Sequence, residues 1–389
     1  MNLPAIQSAL KDAGLDAWLF YDHHHRDPIA ASILELPQNG LVSRRWYYAI
    51  PAEGEPRKLV HRVESRKLDE LPGTRGVYSS WQELHSALES MLAPWSSIAM
   101  QYSPNNAIMY VSMVDAGTIE FLRSIGKKVV SSADLVSQFQ AVLTEDQIAT
   151  HYFAQSQLDD ILVEAFQTIG SRARSGTPAT EYEMKTWFLE AMQRHGLTTD
   201  HGPNISVNRN STDSHYEPTA EVTKPLRSGD FVLIDVWARR DVPNSCWYDI
   251  TWCGVVNRDP TDHERTIFAI VRDARDAAVK AVRAAFESRM PIAGYEVDDA
   301  ARDVIRAAGY EHYFTHRTGH NIGAELHGSG AHLDNLETHD ERKLLPFTCF
   351  SIEPGIYLPE YGIRSEINVM TTGQSANVTG RIQQELVRI

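Results

Sequence analysis

The chain has 389 residues, 42% of them hydrophobic and 23% charged, with a formal net charge of -14. At roughly 150 residues per domain this length predicts two domains, each with enough chain to bury a core. The acidic balance argues against the phosphate backbone of nucleic acid or an anionic membrane surface as partner, since both recruit basic patches.

The first 20 residues lack a basic leader and break their apolar character with Lys11, Asp12 and Asp16, so they do not read as a signal peptide. No run approaches the roughly 20 apolar residues of a membrane span. Cys246, Cys253 and Cys349 form no CxxC pair, so a reducing compartment, the cytoplasm, is expected rather than a disulfide framework.

Strand-like runs at residues 18–21, 45–50, 97–100 and 128–130 alternate with amphipathic segments, which predicts a small α/β domain over residues 1–143. Thr144 with Gln147 then makes a capping-box signature ahead of Ile148, Phe153 and Leu158, opening a second domain over 144–389. Thr180 with Glu183, and Thr261 with Glu264, repeat the device before two more helices, the latter predicted to run to Pro291. A further helix is expected over 297–308, ending at Gly309. Apolar runs at 231–236, 249–256, 348–352 and 366–370 read as strands of a sheet.

Four carboxylates and one imidazole stand out in this half: Asp235, Asp249, His320, Glu353 and Glu366. Such a set can hold two hard divalent cations, since carboxylates bridge metals and a neutral imidazole fills one further position. Any one of them alone reads as a turn or cap residue. Asp235 and Asp249, however, interrupt apolar strand patterns, where an unpaired ionised carboxylate costs several kcal/mol and metal coordination would offset the penalty. Two such ions about 3.5 to 4 Å apart lower the pKa of a water between them towards 7, which points to hydrolysis. In His316-Arg-Thr-Gly-His320-Asn-Ile-Gly323 the glycines argue against a helix and for a turn whose backbone approaches a metal or substrate closely, with His327 seven residues beyond His320. A His-rich surface loop is the alternative that spacing leaves open.

Five segments in order, LIDV at 233–236, YDIT at 248–251, HRTGHNIG at 316–323, SIEPGIY at 351–357 and RSEINV at 364–369, carry a family resemblance. The chain resembles the proline-specific pita-bread metallopeptidases, prolidase and aminopeptidase P, from about Thr144 to its end. The resemblance implies an α+β fold: a C-terminal pita-bread catalytic domain behind a smaller, creatinase-type α/β N-terminal domain. It implies that Asp249 and Glu366 bridge two divalent metal ions, that Asp235 binds one, and that His320 and Glu353 complete the other, with Glu353 as proton acceptor. It sets His215 and His327 near the scissile bond and His316 and Arg364 on the proline side of a small peptide substrate. Manganese is the first expectation for the metal, with cobalt or zinc as alternatives, and a homodimer is the expected assembly.

The chain departs from the family's pattern in a longer Asp235–Asp249 separation, with an extended loop over 241–246, and in Trp237 and Trp252, where Gly and Arg are usual. These departures leave the metal ligands intact, and an Xaa-Pro dipeptidase is the leading expectation. The alternatives are an aminopeptidase for longer peptides, a metal-independent creatinase-like C–N hydrolase, and a binding module that has kept only the fold. No HExxH, GxSxG, GxxxxGK or GxGxxG motif competes.

Overall fold

In the computed structural model, which describes residues 1–37 and 39–389, the chain divides into two compact units, Met1–Gln140 and Ala141–Ile389. The first is built on six strands, β1 (Ala17–Asp22), β2 (Trp46–Pro51), β3 (Arg57–His61), β4 (Thr74–Tyr78), β5 (Ser97–Met100) and β6 (Lys128–Ser131), in the order β4-β3-β2-β1-β5-β6. Every residue of β1 and β2 is buried, because helices cover both faces of the sheet: α1 (Leu3–Asp12), α2 (Pro28–Ile33), α3 (Trp81–Leu92), α4 (Ala116–Ser124) and α5 (Ala133–Gln140).

The second unit begins with α6 (Glu145–Arg174) and α7 (Glu181–Arg194), and its middle holds α8 (Asp262–Ser288) and α9 (Gly294–Ala307). The capping boxes at Thr144, Thr180 and Thr261 are all formed, each hydroxyl accepting the N–H three residues on and each Glu or Gln returning to the cap. Helix α8 stops before the predicted Pro291, because Arg289 adopts a left-handed conformation (φ 56°) and Met290 N–H closes onto Ala285 O. Among the described residues no helix is long and apolar enough to cross a membrane.

One five-stranded sheet runs β17 (Val387–Arg388), β10 (Trp247–Val255), β9 (Phe231–Arg240), β7 (Leu197–Thr198), with β8 (Asn204–Val207) also pairing β9. A second runs β11 (Asn321–Ile322), β12 (Cys349–Ile352), β15 (Ile367–Thr371), β16 (Ala376–Thr379), and β13 (Gly355–Tyr357) pairs with β14 (Gly362–Arg364). Helices α6 and α7 pack on β8, β9 and β10 through Phe166, Phe188 and Ile234, while α8 and α9 pack on β12 to β15 through Val271, Val297 and Ile352. Two sheets flanked by two helix pairs form the pita-bread fold.

Candidate metal centre

Strands β9 and β10 form an antiparallel hairpin in which Thr251 lies opposite Asp235 and Asp249 opposite Trp237. Residues two apart on a strand share a face, so these four side chains project together. Strand β15 meets β10 through Asn368, whose Oδ1 accepts Asp249 N–H at 2.9 Å while its Nδ2 donates to Asp249 O at 2.8 Å. Glu366 N–H donates to Thr251 O at 3.2 Å, so the two sheets touch where their carboxylates converge.

His320 reaches this point because Gly319 has no side chain: a Cβ there would lie 2.0 Å from Ser351 O. His320 N–H donates to Ser351 Oγ at 2.9 Å, and that hydroxyl donates to Glu353 Oε1 at 3.1 Å. The imidazole Nε2 then stands 3.6 Å from Asp249 Oδ2 and 3.4 Å from Glu353 Oε1. Asp249, His320 and Glu366 each offer a ligand atom within 4.8 Å of the others, and all three are buried.

The electrostatics of the group are unbalanced. Asp249 Oδ1 and Glu366 Oε1 are buried without a hydrogen-bond partner. Burial, reinforced by the charges of Asp235 and Glu353, pushes the Asp249 carboxyl well above its ordinary range; burial, then Asp249, Glu353 and Asp235, does the same to Glu366. Burial raises Glu353 to about 7 against the pull of Arg364. His320 is held neutral by burial, then by His327 and Arg317, which leaves its ring nitrogen free to ligate. A divalent cation would answer both orphaned oxygens and the mutual repulsion, so the donor set fits one.

Asp235 belongs to the same network but is reached through two other residues. Thr251 Oγ1 lies 3.0 Å from Asp235 Oδ1 and 2.8 Å from Glu366 Oε2. Arg364 forms a buried ion pair with Asp235, donates from Nε to Thr251 Oγ1 at 3.0 Å and from Nη1 to the Tyr357 hydroxyl at 3.1 Å, and its Nε stands 3.9 Å from Glu353 Oε2. His316 Nδ1 faces Arg317 O at 2.7 Å and so carries the ring proton, leaving Nε2 to accept from Tyr357 at 2.7 Å. Burial and then Arg364 push the His316 imidazole down to about 3.

His327 and His215 lie at the exposed margin. The His327 ring meets His320 edge to face at 4.2 Å between centroids. Although it reaches solvent, the surrounding protein, then Arg317 and His215, push its imidazole down to about 4. His215 is carried by a segment tied to Glu181 on α7, whose carboxylate accepts from Val207 N–H, Asn210, the Tyr216 hydroxyl and Lys224 N–H. Asn321 fixes the His327 loop by accepting Gly330 N–H at 3.0 Å.

Sequence reasoning missed Thr251, Ser351, Tyr357 and Asn368. Thr251 and Asn368 stand two residues beyond Asp249 and Glu366, so the strand period carried their signal. Ser351 likewise stands two before Glu353, whereas Tyr357 enters only through the pairing of β13 with β14.

The Xaa-Pro dipeptidase of Pyrococcus furiosus is 29% identical over 257 residues, 65% of this chain and 67% of that protein. The Xaa-Pro dipeptidase of Lactobacillus delbrueckii subsp. lactis is 27% identical over 237 residues, 60% of this chain and 58% of that protein. The chain thus matches between 58% and 67% of the length of these curated relatives. The crystal structure of dipeptidase PepE from Mycobacterium ulcerans superposes with a TM-score of 0.71 at 22% identity, covering 100% of this chain and 96% of that one, which shows a shared fold. Residues 155–373, more than half of the chain and all of the metal-centre residues described above, match Metallopeptidase family M24, and the chain belongs to that family of peptidases.

Proposed function

We propose that the protein is an Xaa-Pro dipeptidase that cleaves the bond before a C-terminal proline with two divalent ions, manganese before cobalt or zinc. The observation that carries this reading is the convergence of Asp249, His320 and Glu366 within 4.8 Å, beside a buried Arg364 that contacts Asp235 and Tyr357. Asp249 and Glu366 would bridge the ions, Asp235 would bind one, and His320 with Glu353 the other. Bound there, the ions would lower the pKa of a water and polarise the scissile carbonyl.

The chain's own groups supply the rest. Glu353, buried and held by Ser351, takes the proton of the attacking water on a carboxylate oxygen and returns it to the leaving proline nitrogen. His215 and His327 donate hydrogen bonds to the oxygen of the tetrahedral intermediate. His316 and Arg364, joined through the Tyr357 hydroxyl, hold the proline side. The reading takes the enzyme as a cytoplasmic homodimer, and molar mass measured by light scattering checks the dimer.

Proline release from Xaa-Pro dipeptides and Xaa-Pro-Yaa tripeptides, using metal-depleted protein with manganese, cobalt or zinc restored, tests the proposal. Metal-dependent cleavage of dipeptides is expected. Cleavage of tripeptides would move the reading to an aminopeptidase, and no cleavage with any metal would overturn it.

A further inference from the structure

The register of the β9–β10 hairpin orders the site along one axis. Arg364 touches the Asp235–Thr251 rung, and the next rung on the same face, about 6.8 Å along the strands, pairs Trp237 with Asp249. Trp237 therefore stands beside a proposed ligand on the side away from Arg364, Tyr357 and His316. If those three hold proline, Trp237 faces the residue before the scissile bond.

The indole is not free to swing. Its Nε1–H donates to Asp200 Oδ1 at 2.8 Å, and Asp200 also accepts His201 N–H at 2.8 Å. The ring packs against the same buried cluster, with Trp247 and Ile322, as Leu326, whose neighbour His327 meets His320, and it stays partly exposed. The Asp200 charge is felt by His327, which puts the Asp200–Trp237 pair at the same margin. Directly opposed side chains have Cβ atoms only about 4.5–5.5 Å apart, so a fixed indole opposite Asp249 occupies volume that a bulky substrate side chain would need.

We infer that Trp237 is a specificity-determining residue that restricts the residue before proline to a small side chain, with Asp200 positioning the indole. The inference rests on the Xaa-Pro dipeptidase reading. It assigns this chain to substrates such as Gly-Pro and Ala-Pro over Leu-Pro and Phe-Pro.

The test measures kcat and KM for those four dipeptides with the wild type, Trp237→Ala, Trp237→Leu and Asp200→Asn. Wild type is expected to favour Gly-Pro. Both Trp237 variants should raise the kcat/KM ratio of Phe-Pro to Gly-Pro about tenfold or more, chiefly through a lower KM for Phe-Pro. Asp200→Asn should shift it less in the same direction. Trp237→Leu keeps apolar packing against the cluster of Trp247 and Ile322, and Asp200→Asn keeps the indole, so the result does not depend on Trp237→Ala folding. A wild type that prefers Phe-Pro, or variants whose ratio stays unchanged, would overturn the inference alone. A wild type that cleaves no Xaa-Pro dipeptide with any metal would overturn the functional reading and the inference together.

Discussion

Asp298 and Glu366 are both carboxylates at 0% and 1% exposure, yet their surroundings are opposite. Asp298 accepts from Arg302 Nε and Nη2 at 3.0 Å each, from Thr318 N–H at 2.9 Å and from Asn335 N–H at 3.0 Å. Through Arg302, which also donates to Phe314 O and His316 O, it braces the segment that leads to His320. Glu366 has one oxygen on Thr251, the other unpartnered, and Asp249, Glu353 and Asp235 as charged company. A buried acid whose acceptor sites are filled holds the fold together. One left short among like charges costs stability, which function has to explain.

Four experiments press on that contrast. The largest effect is expected from Glu366→Gln, which should lower metal-dependent peptidase activity by roughly a thousandfold, about 4 kcal/mol, while leaving metal-free stability equal or higher because one repelling charge is gone. Full activity would remove Glu366 from the ligand set. Asp298→Ala should do the reverse, destabilising the second unit by about 3 to 4 kcal/mol by stranding the buried Arg302; a chemical-denaturation shift below about 1 kcal/mol would mean the pair is not a brace.

The third measurement is stability against pH in metal-depleted protein. The folded state holds a proton on Glu353 up to about 7, whereas the unfolded carboxyl releases it near its ordinary value of 4.5. Between those values the folded state binds more protons, so stability is lost as pH rises through the window, by about 3 kcal/mol. Glu353→Gln should lessen that slope, the raised Asp249 and Glu366 carboxyls supplying the remainder with the same sign, and an identical pH profile in the variant would sink the assignment. The smallest effect is expected at Thr251→Val, which removes a hydroxyl shared by Asp235, Glu366 and Arg364 and should cost about 1 kcal/mol in thermal stability. A loss as large as that of Asp298→Ala would show that Thr251 also braces the fold.

Local signals were easiest to read because their partners lie three or four residues away. All three Thr-headed capping boxes are examples, as is Gly309, whose φ of +86° ends α9. Strand ends were harder to read. β9 continues four residues beyond the apolar run because Arg239 stacks over Trp247 and Arg240 over Phe153, at 5.0 and 4.8 Å, so charged residues extend it through ring contacts invisible to an apolar pattern. Helix α9 starts at Gly294, three residues early, where a Cβ would meet His332 O at 1.8 Å. At the site, the five acid and imidazole positions stood out in the sequence, and the structure brings the ligand atoms of Asp249, His320 and Glu366 within 4.8 Å of one another. The Arg364–Asp235 pair and the Thr251 bridge were not, because they depend on which rungs of separate strands face each other.

The loop between β9 and β10, residues 241–246, closes beyond the last rung, with Asn244 left-handed at φ 57° and Ser245 Oγ donating to Arg240 O at 2.6 Å. Residues added within this turn would leave every rung below it in place. A single residue inserted inside either strand would instead turn Asp235 or Asp249 to the opposite face. This tip is thus the place in the hairpin where chain could be added or trimmed without disturbing the acids beneath it.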